Sequence, residues 1–224
     1  NGREHINGAD LSGIHAASRD PELVQAAMAM NEGQLDAAAA TLKARLERLP
    51  DDPVGTRLLG EVAWRRADMA EAMTLVRRAL DLSPGFDLAR DFLIRLLLQT
   101  NRLPEALEHA EVLARSPVNN PGHDLIMASV LVRLGDQERA RALYEKLLAQ
   151  KADQPQVWQN LGHVLKTLGE QAEAVHAYRQ AVAHLPTMGE AWWSLANLKT
   201  VKFGADDIAA MEQALATLEP DAAD

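Results

Sequence analysis

The sequence predicts an all-α fold, a right-handed α-solenoid of stacked antiparallel helix hairpins. Three observations support this prediction. Ala and Leu carry the apolar share of the 224 residues while aromatic residues make up only 4%, and this composition favours helices over sheets. The sequence also repeats with a period of 34 residues, without any insertion. Finally, small and helix-ending residues recur at fixed places in the repeat, which indicates about six hairpins that share one core.

The clearest repeat begins at Pro155. Its pattern of aromatic residue, Leu-Gly, large residue, Gly, Ala, aromatic residue, Ala and Pro is formed by Trp158, Leu161, Gly162, Leu165, Gly169, Ala174, Tyr178, Ala181 and Pro186. Steps of 34 residues place the repeat starts at Arg19, Pro53, Asp87, Pro121, Pro155 and Gly189. We therefore assign residues 19–218 to the solenoid, 1–18 to a partly disordered N-terminal extension and 219–224 to an acidic tail.

This pattern resembles the tetratricopeptide repeat (TPR). The resemblance implies a superhelix of helix pairs in which the first helix of each pair lines a concave groove. It also implies that the groove binds a peptide or a partner protein, so that the chain serves as a protein-interaction scaffold.

Three positions of the repeat predict how the helices of a pair meet. Their closest crossing requires a small residue, which the repeat supplies as Ala38, Ala72, Ala106, Ala140 and Ala174. The turn between them favours a left-handed residue, and this position holds Gly33, Ala67, Asn101, Gly135 and Gly169. An apolar spine is expected from Leu59, Leu93, Met127, Leu161 and Leu195.

The first and last repeats depart from this pattern. In the first repeat, Gln25 and Arg45 replace apolar residues, which predicts an N-terminal cap whose outer face meets solvent. In the sixth repeat, Phe203 stands at the position of the turn Gly and Ile208 at the position of the small Ala. The crossing of the sixth pair is therefore expected to differ from the others.

The stretch 189–215 resembles the segment that joins repeats to a catalytic domain in bacterial TPR proteins fused to a sulfotransferase. The specific part is Trp-Ser-Leu-Ala-Asn-Leu-Lys-Thr at 193–200, followed by Phe203, an acidic pair and Ile-Ala-Ala-Met at 208–211. The resemblance implies that a PAPS-dependent sulfotransferase domain follows the repeats in a longer protein. The chain itself shows no phosphate-binding Gly-rich loop, so we expect no enzyme activity and no cofactor.

The composition of the chain limits the classes of partner that we expect. The net charge of −9, with 32 acidic against 23 basic residues, argues against a nucleic-acid partner. No apolar run approaches the roughly 20 residues that a membrane-spanning helix requires. The absence of Cys removes thiolate chemistry and fits a cytoplasmic protein. The chain starts at Asn1 rather than Met, which indicates a trimmed or excised piece, and its oligomeric state stays open.

A metal site is the main catalytic alternative. Glu173 and His176 have the Glu-x-x-His spacing of di-iron bundles, but such sites need two copies of this motif and two further carboxylates. Only one copy is present, on an expected outer helix. We therefore interpret His176 and His184 as surface residues, and predict neither a metal nor a catalytic residue.

The groove residues follow from helical spacing on the first helices. The candidate binding residues are Arg57, Glu61, Trp64, Arg95, Gln159, His163, Lys166, Trp193 and Asn197. The Lys and Asn clamp that binds chaperone tails in some TPR proteins is not met, because its paired positions hold Leu23 and Ala27, Arg57 and Glu61, and Asp91 and Arg95. The preferred hypothesis is an interaction module of a larger bacterial enzyme; the alternative is a stand-alone adaptor or co-chaperone-like protein.

The partner is expected at repeats five and six. Trp192 takes the buried position between helices, which turns Trp193 about 100° away, toward the groove. An exposed Trp is typical of a binding hot spot. The alternative is that Trp193 packs under the last helix through Met211 or Leu215, or against a domain that follows the repeats.

Overall fold

The computed structural model describes residues 20–118 and 120–218, and within these residues the chain forms twelve helices and no strand. The all-α prediction is therefore confirmed. The expectations for residues 1–18, for the repeat start at Arg19 and for residues 219–224 lie outside the described residues. The helices form two compact units, described over 20–118 and 120–218.

Each unit contains three helix pairs. The N-terminal unit holds α1 (Pro21–Asn31), α2 (Leu35–Arg48), α3 (Pro53–Arg65), α4 (Met69–Leu82), α5 (Asp87–Gln99) and α6 (Leu103–Ala114). The C-terminal unit holds α7 (Pro121–Leu134), α8 (Gln137–Gln150), α9 (Pro155–Leu168), α10 (Gln171–His184), α11 (Gly189–Asn197) and α12 (Ala205–Leu218). Consecutive helices pack against each other from α1 to α6 and from α7 to α11.

The helices begin and turn where the sequence predicts. Proline occupies the first position of α1, α3, α7 and α9, where a backbone N–H has no helical partner to lose. The turn residues have φ angles from 57° to 84°, at Gly33, Ala67, Asn101, Gly135 and Gly169. The predicted left-handed turn is thus confirmed in the first five pairs, including the two positions without Gly.

The sixth pair turns earlier than its repeat position predicts. Helix α11 has 9 residues and ends at Asn197, and the left-handed residue is Lys199 with φ 59°. Phe203 is therefore not the turn residue; its ring packs edge-on against Trp192 with centroids 6.2 Å apart. Ile208 is 50% exposed and does not take the buried place of the small Ala. Residues 198–203 would otherwise extend α11. They instead bring Phe203 back to Trp192.

Small residues let the paired helices approach each other. All five predicted crossing alanines are completely buried, and all five spine residues are buried as well. Gly162 allows the closest approach, since a Cβ there would lie 2.6 Å from the ring of Tyr178. The close crossing of α9 and α10 therefore requires that this position has no side chain.

In three repeats, the residue at the fourth position donates a hydrogen bond from the first helix to the loop that precedes it. Arg90 donates from Nη2 to the Pro84 carbonyl, Trp158 donates from Nε1 to the Ala152 carbonyl at 2.8 Å, and Trp192 donates from Nε1 to the Pro186 carbonyl at 2.9 Å. Trp158 and Trp192 thus orient the helices that carry them.

Arg45 is not part of a solvent-facing cap surface. It is buried, and its guanidinium binds Asp20 at 2.8 Å, Glu22 at 3.1 Å and Asp52 at 2.6 Å. Burial alone would raise the pKa of Asp20, but the hydrogen bonds from Arg45 and from two backbone N–H groups lower it below its usual value. The polar residue links α2 to the starts of α1 and α3, whereas Gln25 is exposed as predicted.

Replacing Gly162 tests the crossing. We expect Gly162→Val to destabilise the C-terminal unit by about 2 kcal/mol, because the added carbons overlap the Tyr178 ring in a packed core. Gly189→Val is the matched control, since no atom lies within 4 Å of a Cβ at Gly189. Urea denaturation measures both variants. Equal stability of the two would contradict the proposed constraint.

Replacing Arg45 tests the ion-pair network. We expect Arg45→Met to lower the free energy of unfolding by about 2 kcal/mol at neutral pH, since three carboxylates lose their partner. Because the pKa of Asp20 is depressed in the folded state, its contribution is present above its unfolded pKa, near 4, and is lost as the pH falls further. The difference between variant and wild type should therefore shrink in acid. Lys43→Met, at an exposed site on the same helix, is the control, and a pH-independent difference would contradict this assignment.

Candidate functional site

In the N-terminal unit the predicted binding residues form contacts within the protein. Glu61 accepts from Arg57 at 3.3 Å and from Arg65 at 2.9 Å. Arg65 also donates to the Met30 carbonyl at 2.7 Å, which joins α3 to the end of α1. Arg57 Nε is buried without a hydrogen-bond partner among the described residues. Glu61 is therefore shared by both arginines of α3.

Trp64 and Arg95 are held in the same way. The Trp64 indole donates from Nε1 to Gln99 Oε1 at 2.9 Å and meets the Phe92 ring edge-on at 6.0 Å. Arg95 binds Asp91 through two hydrogen bonds of 2.9 and 3.0 Å, and the Asp91 hydrogen bond raises the pKa of Arg95 above its usual value. These contacts leave Arg95 accessible, but its charge is already paired.

In the C-terminal unit, Gln159 is not a surface residue. Only 1% of it is exposed, and its Nε2 lies 3.4 Å from His163 Nε2. Gln159, one of the candidate binding residues, is therefore not accessible to a peptide in this structure. Helical spacing gives the direction of a side chain from its helix, but it does not show how closely other helices cover that direction.

His163 is the centre of a polar cluster between α9, α10 and α11. Its Nδ1 lies 2.8 Å from the Tyr178 hydroxyl, and its Nε2 lies 3.7 Å from Glu190 Oε1. Burial lowers the pKa of His163, and Glu190 offsets only part of this effect. Burial also raises the pKa of Tyr178 to about 12. Both groups are therefore neutral near pH 7.

Lys166, Trp193 and Asn197 are exposed. Trp193 is 63% exposed and Leu215 is 60% exposed, so Trp193 is not buried under α12 through Leu215. The contact between His163 and Glu190 places α9 and α11 side by side. Lys166 lies about one helical turn after His163 on α9, and Trp193 lies about one turn after Glu190 on α11. Both residues are therefore on the same helix faces as the His163–Glu190 contact, one turn further along. We call Lys166, Trp193 and Asn197 the first-helix patch.

The structure also contains a cleft that the sequence interpretation missed. It lies between the second helices α8 and α10, over α9, and has a volume of about 650 Å³. Its lining consists of Arg141, Glu145, Leu148, Ala149, Trp158, Leu161, Leu165, Ala172, Glu173, His176 and Ala177. We call it the second-helix cleft. A signal for it exists in the sequence, since Glu145 and Glu173 occupy repeat positions that hold opposite charges in other repeats.

The part of the chain that the structure describes holds neither a metal-binding cluster nor a membrane-spanning helix. No three His, Asp or Glu side chains there come together in a way that could hold a metal ion. His176 and His184 are exposed, as predicted. None of the helices between residues 20 and 218 is long and apolar enough to cross a bilayer.

Sequence comparison relates the chain to a known repeat family. The family described as tetratricopeptide repeat matches residues 16–187. Cellulose synthase 1 operon protein C of Komagataeibacter xylinus is 25% identical over 157 residues, a match that covers 65% of this chain and 12% of that protein. The chain thus spans about an eighth of the length of this curated relative.

Solved structures share the fold. The pilF protein of Pseudomonas aeruginosa has a TM-score of 0.73 and 16% identity, and the match covers 92% of each chain. YrrB, described as a TPR protein with an unusual peptide-binding site, has a TM-score of 0.66 and 16% identity over 83% of this chain and 97% of its own. At this level of identity the likeness concerns the fold.

The lowered pKa of His163 predicts a pH dependence of stability. Because the folded state holds His163 neutral, the unfolded state binds a proton more readily, and the free energy of unfolding falls as the pH drops below about 6.5. His163→Gln should remove this part of the decline. Urea denaturation of wild type and variant at pH 7.5 and 5.5 measures it. Parallel pH profiles would show that His163 titrates normally.

Proposed function

The chain belongs to the tetratricopeptide repeat family, and on this premise we propose that it is a protein-interaction scaffold that binds a peptide or partner protein at the first-helix patch. The observation that carries the proposal is the exposure of Trp193, at 63%, beside a helix that presents Lys166. An exposed indole beside charged and amide side chains is typical of an interface hot spot.

The patch combines three kinds of contact. The Trp193 indole offers a large apolar surface and one N–H donor. Lys166 can pair with a carboxylate of the partner, and the Asn197 amide can both donate to and accept from a peptide backbone. The neighbouring cluster of His163, Tyr178 and Glu190 is held by its own contacts, which gives the patch a fixed base.

The N-terminal unit supports a different role. A clamp for the C-terminal carboxylate of a peptide needs cations that are not already paired, but Arg57 binds Glu61 and Arg95 binds Asp91. These internal pairs weigh against the co-chaperone-like alternative. We propose that this unit supplies stability and spacing rather than the main contacts.

The wider setting of the scaffold is a further part of the proposal. The resemblance of residues 189–215 to TPR proteins fused to a sulfotransferase supports a place in a larger bacterial protein that carries that domain. The repeats would then bind a partner and would not themselves catalyse a reaction or bind a cofactor. A coding sequence that continues into a PAPS-binding domain would test this link. The absence of Cys supports a cytoplasmic location.

Substitutions in the first-helix patch test the binding function. Peptides selected on the full chain from a displayed random dodecapeptide library are the probes. We expect Trp193→Ala to weaken their binding by about tenfold or more, since the side chain would lose a contact worth at least ~1.4 kcal/mol. Lys166→Ala should weaken binding by a smaller factor. Fluorescence anisotropy measures the Kd values.

Exposed residues elsewhere provide the controls. Leu215→Ala and Lys202→Ala change exposed side chains outside the patch and should leave both binding and Tm unchanged. Trp193→Ala should also keep the wild-type Tm because its indole is mostly in solvent. Failure to select any peptide, unchanged binding in both patch variants, or a large loss of Tm in Trp193→Ala would each overturn this assignment.

A further inference from the structure

The second-helix cleft lies at a junction between repeats that lacks an ion pair found at the same positions of two other junctions. In the N-terminal unit, Arg77 of α4 binds Glu105 of α6 at 2.6 Å. In the C-terminal unit, the residues at the same two repeat positions are Arg179 of α10 and Asp207 of α12, which bind at 2.8 Å. Each pair joins the second helix of one repeat to the second helix of the next.

Between α8 and α10 these two positions hold Glu145 and Glu173. Two carboxylates repel each other and cannot close the gap. Arg141 supplies a cation to Glu145 but not to Glu173. Arg141 binds Glu145 at 2.7 Å and Glu170 at 2.7 Å, while Glu173 forms no ion pair with any described residue. One guanidinium therefore stands among three carboxylates, and the rim of the cleft keeps a negative charge.

The interior of the cleft is apolar. Leu148, Leu161 and Leu165 line it together with Trp158. The hydrogen bond from Trp158 Nε1 to the Ala152 carbonyl and the edge-on contact with His176, at 5.9 Å, hold the indole in place. The small side chains of Ala149, Ala172 and Ala177 leave the space open. The cleft is thus formed before a ligand arrives, with a volume in the range of known ligand pockets.

We propose that the second-helix cleft binds a peptide segment that inserts one large apolar side chain and places a neighbouring Lys or Arg against Glu145 and Glu173. The apolar walls around Trp158 account for the first requirement. The second follows from the carboxylate of Glu173, which has no ion-pair partner among the described residues, and from Glu145, which shares Arg141 with Glu170. This site lies on the second helices and is independent of the first-helix patch. The same carboxylates repel a peptide in which an acidic residue lies next to the large apolar one.

Short synthetic peptides test this recognition directly. The probes are acetyl-Gly-Ser-Phe-Lys-Ser-Gly-amide and two variants, one with Ala for Phe and one with Glu for Lys. Backbone amide shifts of Ala172, Glu173 and Ala177, followed by NMR during titration of the full chain, report on the cleft. We expect the Phe-Lys peptide to bind at least about tenfold more tightly than either variant, because each change removes one of the two contacts.

Substitutions in the cleft provide a second test, because each should change peptide binding in a defined direction. Ala149→Trp fills the cleft from an exposed position and should abolish the shifts, whereas Ala183→Trp, exposed on α10 outside the cleft, should not. Glu173→Lys should weaken the Phe-Lys peptide and strengthen the Phe-Glu peptide. Glu212→Lys, exposed on α12, is the charge-matched control. Trp193→Ala should have no effect, which separates this site from the first-helix patch.

Several outcomes would overturn the proposal. Equal binding of the Phe-Lys and Phe-Glu peptides would show that the carboxylates do not recognise charge. Absence of shifts at the cleft, or shifts that persist in Ala149→Trp at an unchanged Tm, would show that the apolar space is not the binding site.

Discussion

The close crossing of two helices at one small residue is the constraint on which every pair of this protein depends. The crossing alanines are completely buried in all of the first five pairs, and at Gly162 even a Cβ would overlap the Tyr178 ring. Because the helices approach so closely, the chain must reverse within a few residues, which requires the left-handed turn at Gly33 and its equivalents. The residues of the buried spine then occupy the same repeat position on their first helices.

Much of the fold could be predicted because these constraints act on residue type. A crossing accepts only small residues and a left-handed turn favours Gly or Asn, so both leave a direct trace in the sequence. The turn of the sixth pair could not be predicted in this way. There the contact between Trp192 and Phe203 accompanies an earlier turn between the two helices. A contact between two specific side chains does not recur in the other repeats, so no repeat pattern predicts it.

The functional surface was only partly predictable for a related reason. The exposure of Trp193 followed from its position beside Trp192, because adjacent residues on a helix point about 100° apart. The burial of Gln159 and Arg45 did not follow, since burial depends on what neighbouring helices place over a side chain. Arg45 satisfies three carboxylates from two other helix starts. A polar residue at an apolar repeat position therefore indicated an internal ionic link, and not a face that meets solvent.

The repeat positions that form ion pairs between second helices also explain the second-helix cleft of the C-terminal unit. Ion pairs such as Arg179 with Asp207 are partly exposed and each contributes only about 0.2–1 kcal/mol, so a junction can lose one and still fold. Replacing such a pair by Glu145 and Glu173 adds repulsion without any gain in packing, because Ala149 and Ala172 do not fill the space. Positions where a sequence departs from its own structural rule at a cost in stability are those where binding is expected. The departure here leaves an apolar space and an unmatched negative charge together, and a ligand with an apolar group beside a cation satisfies both.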